Sequence, residues 1–294
     1  MRKLPKPTDA ANAEYVARSV FELCVSDTTN AALKKRYLAA APEVEQASLH
    51  YGAAAPNTEL HLIALNQPAG DLSTKEMIGV YTYRMRDKRR PGRPVYDRII
   101  SAPKQQRCPL CGVGVASTLD HHLPKDKFPV LAVTPTNLVP SCRDCQDAKK
   151  SYHALTQEGH TLHPYFDDYD NVQWLAAKVL ETAPTVFVFF VNAPASSSAL
   201  ERARFNTHMN VFKLMKLYSS NAASEMVGAQ GQLYRLLVSG GEASVREHCL
   251  DVAQSWANES LNSWMYAMYS AAAASSWFCR GGFMAGNTPK SSIV

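Results

Sequence analysis

The chain has 294 residues, 46% of them hydrophobic and 19% charged, with a formal net charge of +5. It is long enough to bury a sizeable core, as one large domain or two ordinary ones, and its composition excludes a disordered protein. The opening residues MRKLPKPTDAANAEY lack the apolar run of a signal peptide. The nearest approach to a membrane span, Leu261 to Cys279, is loaded with Ser, Asn and Tyr and reads as a buried amphipathic helix, so the expected location is the cytoplasm without membrane attachment.

In chain order, residues 1–104 read as a helical region. PTDAANAEYVARSVFELC offers Thr8 or Asp9 as a cap and sets Val16, Val20, Phe21 and Cys24 on one stripe; NAALKKRYLAAA and EVEQASLHYGAAA continue in the same manner. STKE at 73–76 is a capping-box pattern opening a helix through MIGVYTYRM, which RRPGRP should break before VYDRIISA forms a short turn or helix. Residues 84–107 hold nine Lys or Arg against two Asp, a net +7 that exceeds the charge of the whole chain. Such a run is usually a solvated face, but its position before the first cysteine pair favours nucleic-acid contact.

Residues 105–155 change character to short β-like runs, turns and paired cysteines. Beyond them, 156–285 reads as a mainly helical C-terminal region. In it NVQWLAAKVL has helical spacing, TVFVFFV at 185–191 is a strand or a buried helical segment, and three or four helices follow with breaks near Ser219–Asn221 and at SGGE, 239–242. Residues 286–294 read as a disordered tail. The expected fold is therefore mainly α, with a small zinc-stabilised module inserted between helical N- and C-terminal regions.

Of seven cysteines, Cys108 with Cys111 and Cys142 with Cys145 form two C-x2-C pairs 30 residues apart. Each pair can make a tight knuckle, and four thiolates complete a tetrahedral Zn2+ site with no open position. Such a zinc is structural, contributing folding free energy on the order of 10 kcal/mol. Cys24, Cys249 and Cys279 are most simply small core residues.

The enclosed and following residues read LDHHLPKDKFPVLAVTPTNLVPSCRDCQDAKK. The order C-x2-C, D-H-x-x-P, N-L-x-x-x-C-x-x-C and then a basic helix start closely resembles the HNH nuclease family over residues 108–152. The resemblance implies a ββα-metal unit. Its first strand would run through about Val113 to Asp120, its second through Asn137 to Ser141, and its helix would begin near Cys142. By the same likeness Asp120 binds a catalytic Mg2+ or Mn2+ and His121 is the general base. Asn137 would fix the loop and orient the histidine.

An imidazole near its reference pKa of about 6.5 accepts a proton at neutral pH, so activity should fall in acid. The family places Asn or His directly after the last cysteine as a second metal ligand; here Gln146 stands there, with Asp147 beside it as a substitute. His122 should point away from His121 on an extended backbone and serve packing or substrate contact. His153 could approach the site from beyond the helix.

Lys125, Lys127, Arg143, Lys149 and Lys150 would make sequence-independent phosphate contacts, with DNA as the expected nucleic acid. DHHLPK, the Phe-Pro after it and NLVPSC also look similar to the nuclease component of bacterial Septu anti-phage systems, which works beside an ATPase. On that likeness the helical flanks dock a partner or another copy. Two other readings stand beside the enzyme: a zinc-stabilised nucleic-acid- or partner-binding module that has lost catalysis, favoured by Gln146, and a helical scaffold braced by zinc.

Overall fold

The computed structural model describes residues 1–67 and 69–286, and it divides the chain into two compact units, Met1–Asp168 and Tyr169–Val294. The boundaries drawn from sequence at 104/105 and 155/156 thus give way to one between Asp168 and Tyr169. From residue 287 onward the tail read as disordered lies outside the described residues.

The first unit opens with α1 (Ala17–Val25) and α2 (Ala31–Ala54). Val20, Phe21 and Cys24 bury the stripe of α1, but Val16 is its exposed N-cap residue and no side chain caps this helix. Thr8 and Asp9 lie too far upstream; the Asp9 carboxylate instead accepts the N–H groups of Ala11 and Ala13 in a local turn. Asn30 caps α2, which joins the two alanine-rich segments into one helix running through Pro42.

The predicted capping box forms between Ser73 and Glu76 and starts α3 (Thr74–Gly79), which passes into a π-helical turn over Val80–Met85. Gly92 then lets the chain close tightly on α1, since a Cβ there would lie 2.5 Å from Cys24 Sγ. α4 (Arg93–Ile100) follows.

Strands β1 (Thr118–His121) and β2 (Leu138–Ser141) pair antiparallel, with Asp120 opposite Val139 and His121 opposite Leu138. β1 is shorter than the Val113–Asp120 strand expected and reaches one residue further. Helix α5 (Arg143–Lys149) begins directly after its cap Cys142. Leu119, Leu123, Phe128, Leu131 and Leu138 pack in the same hydrophobic cluster as Phe21, Tyr37 and Val44. The cysteine-bearing module therefore shares one core with the N-terminal helices and is not a separate body.

In the second unit β3 (Leu175–Leu180) pairs antiparallel with β4 (Val186–Val191). The helical spacing read in NVQWLAAKVL is overturned. The β-prone run six residues on supplies a complete ladder, and the Asn262 carbonyl accepts the N–H groups of Trp174 and Leu175 at 2.8 and 3.1 Å at the strand's entrance. Trp174 stacks on Phe205 of α6 (Ala199–Val211) with centroids 5.1 Å apart.

The next break falls at Lys213, in the left-handed region with φ 53°, rather than at 219–221, which lie inside α7 (Leu214–Glu259). α7 is interrupted at Gly241, φ 67° and ψ −161°, within the predicted SGGE break and in a conformation that favours glycine. α8 (Trp264–Ala274) and α9 (Ser276–Cys279) replace the single helix expected over 261–279. Among the described residues no helix is long and apolar enough to cross a membrane.

Candidate functional site

The two C-x2-C pairs converge. All four cysteines are buried and their sulfur atoms lie within 4.8 Å of one another. The first knuckle is a turn in which Gly112, at φ 70°, donates to the Cys108 carbonyl at 2.8 Å and Val113 N–H points at Cys111 Sγ at 3.4 Å. Gly114 must lack a side chain, because a Cβ would come 2.6 Å from Cys142 Cβ. In the second knuckle Cys145 N–H reaches Cys142 Sγ at 3.5 Å across the first turn of α5.

Cys111 and Cys142 sulfurs are 3.8 Å apart, which matches the edge of about 3.8 Å in a sulfur tetrahedron with zinc bonds of about 2.3 Å. Hydrogen bonds from Cys111, Cys142 and Cys145 pull the Cys108 thiol well below its ordinary range, while Cys108 and the other two push that of Cys145 far up. This sharing of protons among four close sulfurs is what a bound cation would replace, and an all-sulfur set suits zinc. Cys24 and Cys249, by contrast, are buried thiols pushed up to about 12 by desolvation, in keeping with core roles.

A second polar cluster sits at the end of β1. Asp120 and His121 are 6% and 5% exposed, so neither faces open water. The His121 ring donates Nε2–H to the Ala132 carbonyl at 2.8 Å, leaving Nδ1 as its acceptor nitrogen, and it meets the Tyr81 ring edge-to-face at 4.4 Å. Tyr81 in turn donates to the Leu119 carbonyl at 3.0 Å, tying the π-helical turn to β1. Burial lowers the His121 pKa to about 3, the Ala132 hydrogen bond opposing this in part. The expected ordinary value near 6.5 is therefore corrected: desolvation keeps this imidazole neutral throughout pH 5–8.

Asn137 staples the loop that follows. Its carbonyl accepts Leu123 N–H at 2.7 Å and its amide donates to the Leu123 and Leu131 carbonyls at 3.0 and 3.3 Å.

The cation beside Asp120 belongs to the chain itself. Lys149 Nζ is 3.1 Å from the Asp120 carboxylate and donates to the His121 carbonyl at 2.7 Å, with side chains only 2% and 9% exposed. Burial raises the Asp120 pKa, and Lys149 followed by Lys125 works against that rise. Lys149 is thus an interior ion-pair partner and not the surface phosphate contact expected. Gln146 lies one turn earlier on α5 and is half-buried, and Asp147 is exposed and paired with Arg143 at 3.2 Å.

Lys125 and Lys127 are half-buried, Lys127 lying 3.2 Å from His153 Nδ1, while Arg143 and Lys150 are exposed. Much of the basic segment is committed internally. Arg84 and Arg90 both bind Asp27, Arg93 binds Asp97, and Arg98 donates to the Thr8 carbonyl; Arg86 and Lys88 remain exposed.

His122 follows β1, its ring packed against that of His163 with centroids 4.2 Å apart, whereas the His121 ring meets Tyr81 and the Ala132 carbonyl. His163 also meets the Tyr51 hydroxyl at 2.8 Å, and a small cleft beside it is lined by His122, Lys149, His153, His160 and Thr161. The roles of Tyr51, His160 and His163 had no motif to announce them, since they arise from loops and helices folding onto the hairpin.

Fold and site define a mainly helical protein carrying a buried four-cysteine centre able to hold zinc. Among known proteins it is similar to protein ea31 of Escherichia phage lambda, 31% identical over 161 residues covering 53% of this chain and 54% of that one. The chain thus spans about half the length of that relative. No family model and no solved structure matches it.

Proposed function

We propose that the chain is an HNH-type endonuclease that hydrolyses phosphodiester bonds, DNA being the expected substrate, as a cytoplasmic effector of bacterial anti-phage defence working beside an ATPase. The observation that carries this reading is the Asp120–His121 pair closing a β-strand, with Asn137 stapling the loop behind it, on a hairpin and helix braced by four cysteines. Zinc in that centre would hold α5 against the hairpin. His121, oriented through Nε2 by Ala132, would be the group to take a proton from water at Nδ1, but burial holds its pKa at about 3, so it would act as a base only where the site opens to water. Lys125, Lys127, Arg143 and Lys150, with Arg86 and Lys88, would give sequence-independent phosphate contact that weakens with salt.

Mg2+ or Mn2+ would supply charge stabilisation on the phosphate. As arranged, the donors do not fit such an ion. Asp120 already faces the Lys149 ammonium, and among the described residues the cysteines alone bring three or more candidate ligand atoms together.

Purified full-length chain should cut plasmid or single-stranded DNA in Mg2+ or Mn2+, with its ATPase partner supplied, and stop on EDTA addition or in His121→Ala. Cleavage that survives His121→Ala overturns the assignment. The Lys149–Asp120 pair and the burial of His121 favour a second reading, a zinc-stabilised binding module without catalysis. It predicts DNA or partner binding with no cleavage under any of these conditions.

A further inference from the structure

Arg84, Arg90 and Arg93 are each held by an aspartate, but Arg98 is not. Its Nε donates to the Thr8 carbonyl at 2.8 Å, which fixes the plane of the guanidinium, and among the described residues it bonds no carboxylate. Beside it a cavity of about 310 Å³ opens between residues 5–8, the end of α4 and Tyr165. That volume suits a small ligand.

The cavity has two kinds of wall. Pro5, Pro7, Ile99, Ala102 and Tyr165 give apolar surface, and Lys6 and Arg98 give two cations; among the described residues no carboxylate lines it. The two acids of the N-terminal segment do not fill this role. Asp9 accepts the N–H groups of Ala11 and Ala13, and Glu14 lies 3.4 Å from Lys6 Nζ in a pair whose side chains are 63% and 41% exposed. Solvent screens that pair, so a stronger anion can draw Lys6 from it.

The walls are also tied down. Leu4 N–H donates to the Pro164 carbonyl at 2.8 Å and Tyr15 N–H to the Pro7 carbonyl at 3.1 Å, while the Tyr165 hydroxyl donates to the Leu138 carbonyl at 2.8 Å. A guanidinium fork and an ammonium on one rim match a phosphate dianion, and the apolar walls match a ring that an inorganic ion lacks.

We propose that this cavity binds a nucleoside monophosphate, with its phosphate on Arg98 and Lys6 and its base against the proline, Ile99 and Tyr165 walls. The site shares no residue with the Asp120–His121 cluster and does not rest on the nuclease reading.

The test is isothermal titration calorimetry of the zinc-loaded full chain with adenosine monophosphate, adenosine and inorganic phosphate. Adenosine monophosphate should bind one per chain, at least tenfold tighter than either of the others. Arg98→Gln should weaken it at least tenfold and Lys6→Gln several-fold, whereas Lys35→Gln, at an exposed cation of α2, should leave it unchanged. Because Arg98→Gln also removes the tie to Thr8, Ala102→Phe serves as a second variant: at an exposed position it keeps both cations, fills the cavity and should abolish binding. Variants are compared at wild-type zinc content and helicity. No binding to wild type, phosphate or adenosine bound as tightly as the nucleotide, or binding that survives Ala102→Phe overturns the assignment; the last result would put the nucleotide on the exposed basic surface instead.

Discussion

The hairpin and helix of the first unit hold two buried polar clusters of opposite character. The four cysteines gather four buried sulfur atoms within 4.8 Å of one another, a donor set able to hold a metal such as zinc. At the other end of the hairpin Asp120 is buried with equal care, but its counter-charge is the ammonium of Lys149. One cluster offers its sulfurs to an ion; the other carries its counter-charge within the chain. Burying charge is tolerable in both cases because each anion has a partner, and the difference lies in whether that partner is exchangeable.

The largest effect should come from removing a thiolate. Cys108→Ser leaves three sulfurs and a hydroxyl in a site built for four, forfeiting much of a contribution on the order of 10 kcal/mol. Bound zinc should drop well below one per chain, and melting of the first unit should fall by on the order of 10 °C or more. Because the module shares its core with α1 and α2, the loss should reach those helices too, as a loss of cooperative helical melting. Zinc analysis with thermal circular dichroism checks both. A zinc-free Cys108→Ser chain as stable as wild type would put the two clusters on the same footing.

A smaller but sizeable effect concerns acid. His121 has a folded pKa of about 3 against about 6.5 unfolded, so between these values the unfolded chain binds the extra proton. Stability from this group is complete above about pH 6.5 and is lost as pH falls toward 3, by up to about 5 kcal/mol in all. Asp120 works in the opposite sense, since its raised carboxyl pKa contributes stability that fades as pH rises through the folded value. Urea midpoints should therefore fall steeply from pH 7 to pH 4 in wild type and more shallowly in His121→Leu. Equal slopes would mean that His121 is less buried than its contacts with Ala132 and Tyr81 require.

The two clusters were unequally legible in the sequence. C-x2-C spacing fixes local geometry, so the zinc frame could be read without knowing the fold. Asp120, His121 and Asn137 could be singled out by resemblance, and the turn that joins them is local. Lys149 could not be told from Lys150, its neighbour of identical chemistry. On a helix the two point about 100° apart, and only the docking of α5 on β1 decides which is buried. β3 was misread for a related reason. Trp174 and LAAKVL suit either period, and the choice was made by β4 and by Asn262, 87 residues beyond Leu175. Where the deciding partner was distant in sequence, periodicity had nothing to report.

The smallest effect sharpens the contrast within α5's own surroundings. Asp147 and Asp120 are both carboxylates paired with a cation on this helix, yet the Arg143–Asp147 pair is mostly exposed, at 78% and 63%. Solvent screens it, and the two long side chains lose rotamer freedom to hold one geometry, so Asp147→Asn should change stability by at most about 0.5 kcal/mol. Asp120→Asn instead leaves a buried ammonium without its anion and should cost about 3 kcal/mol or more. Both are measured by the same urea titration.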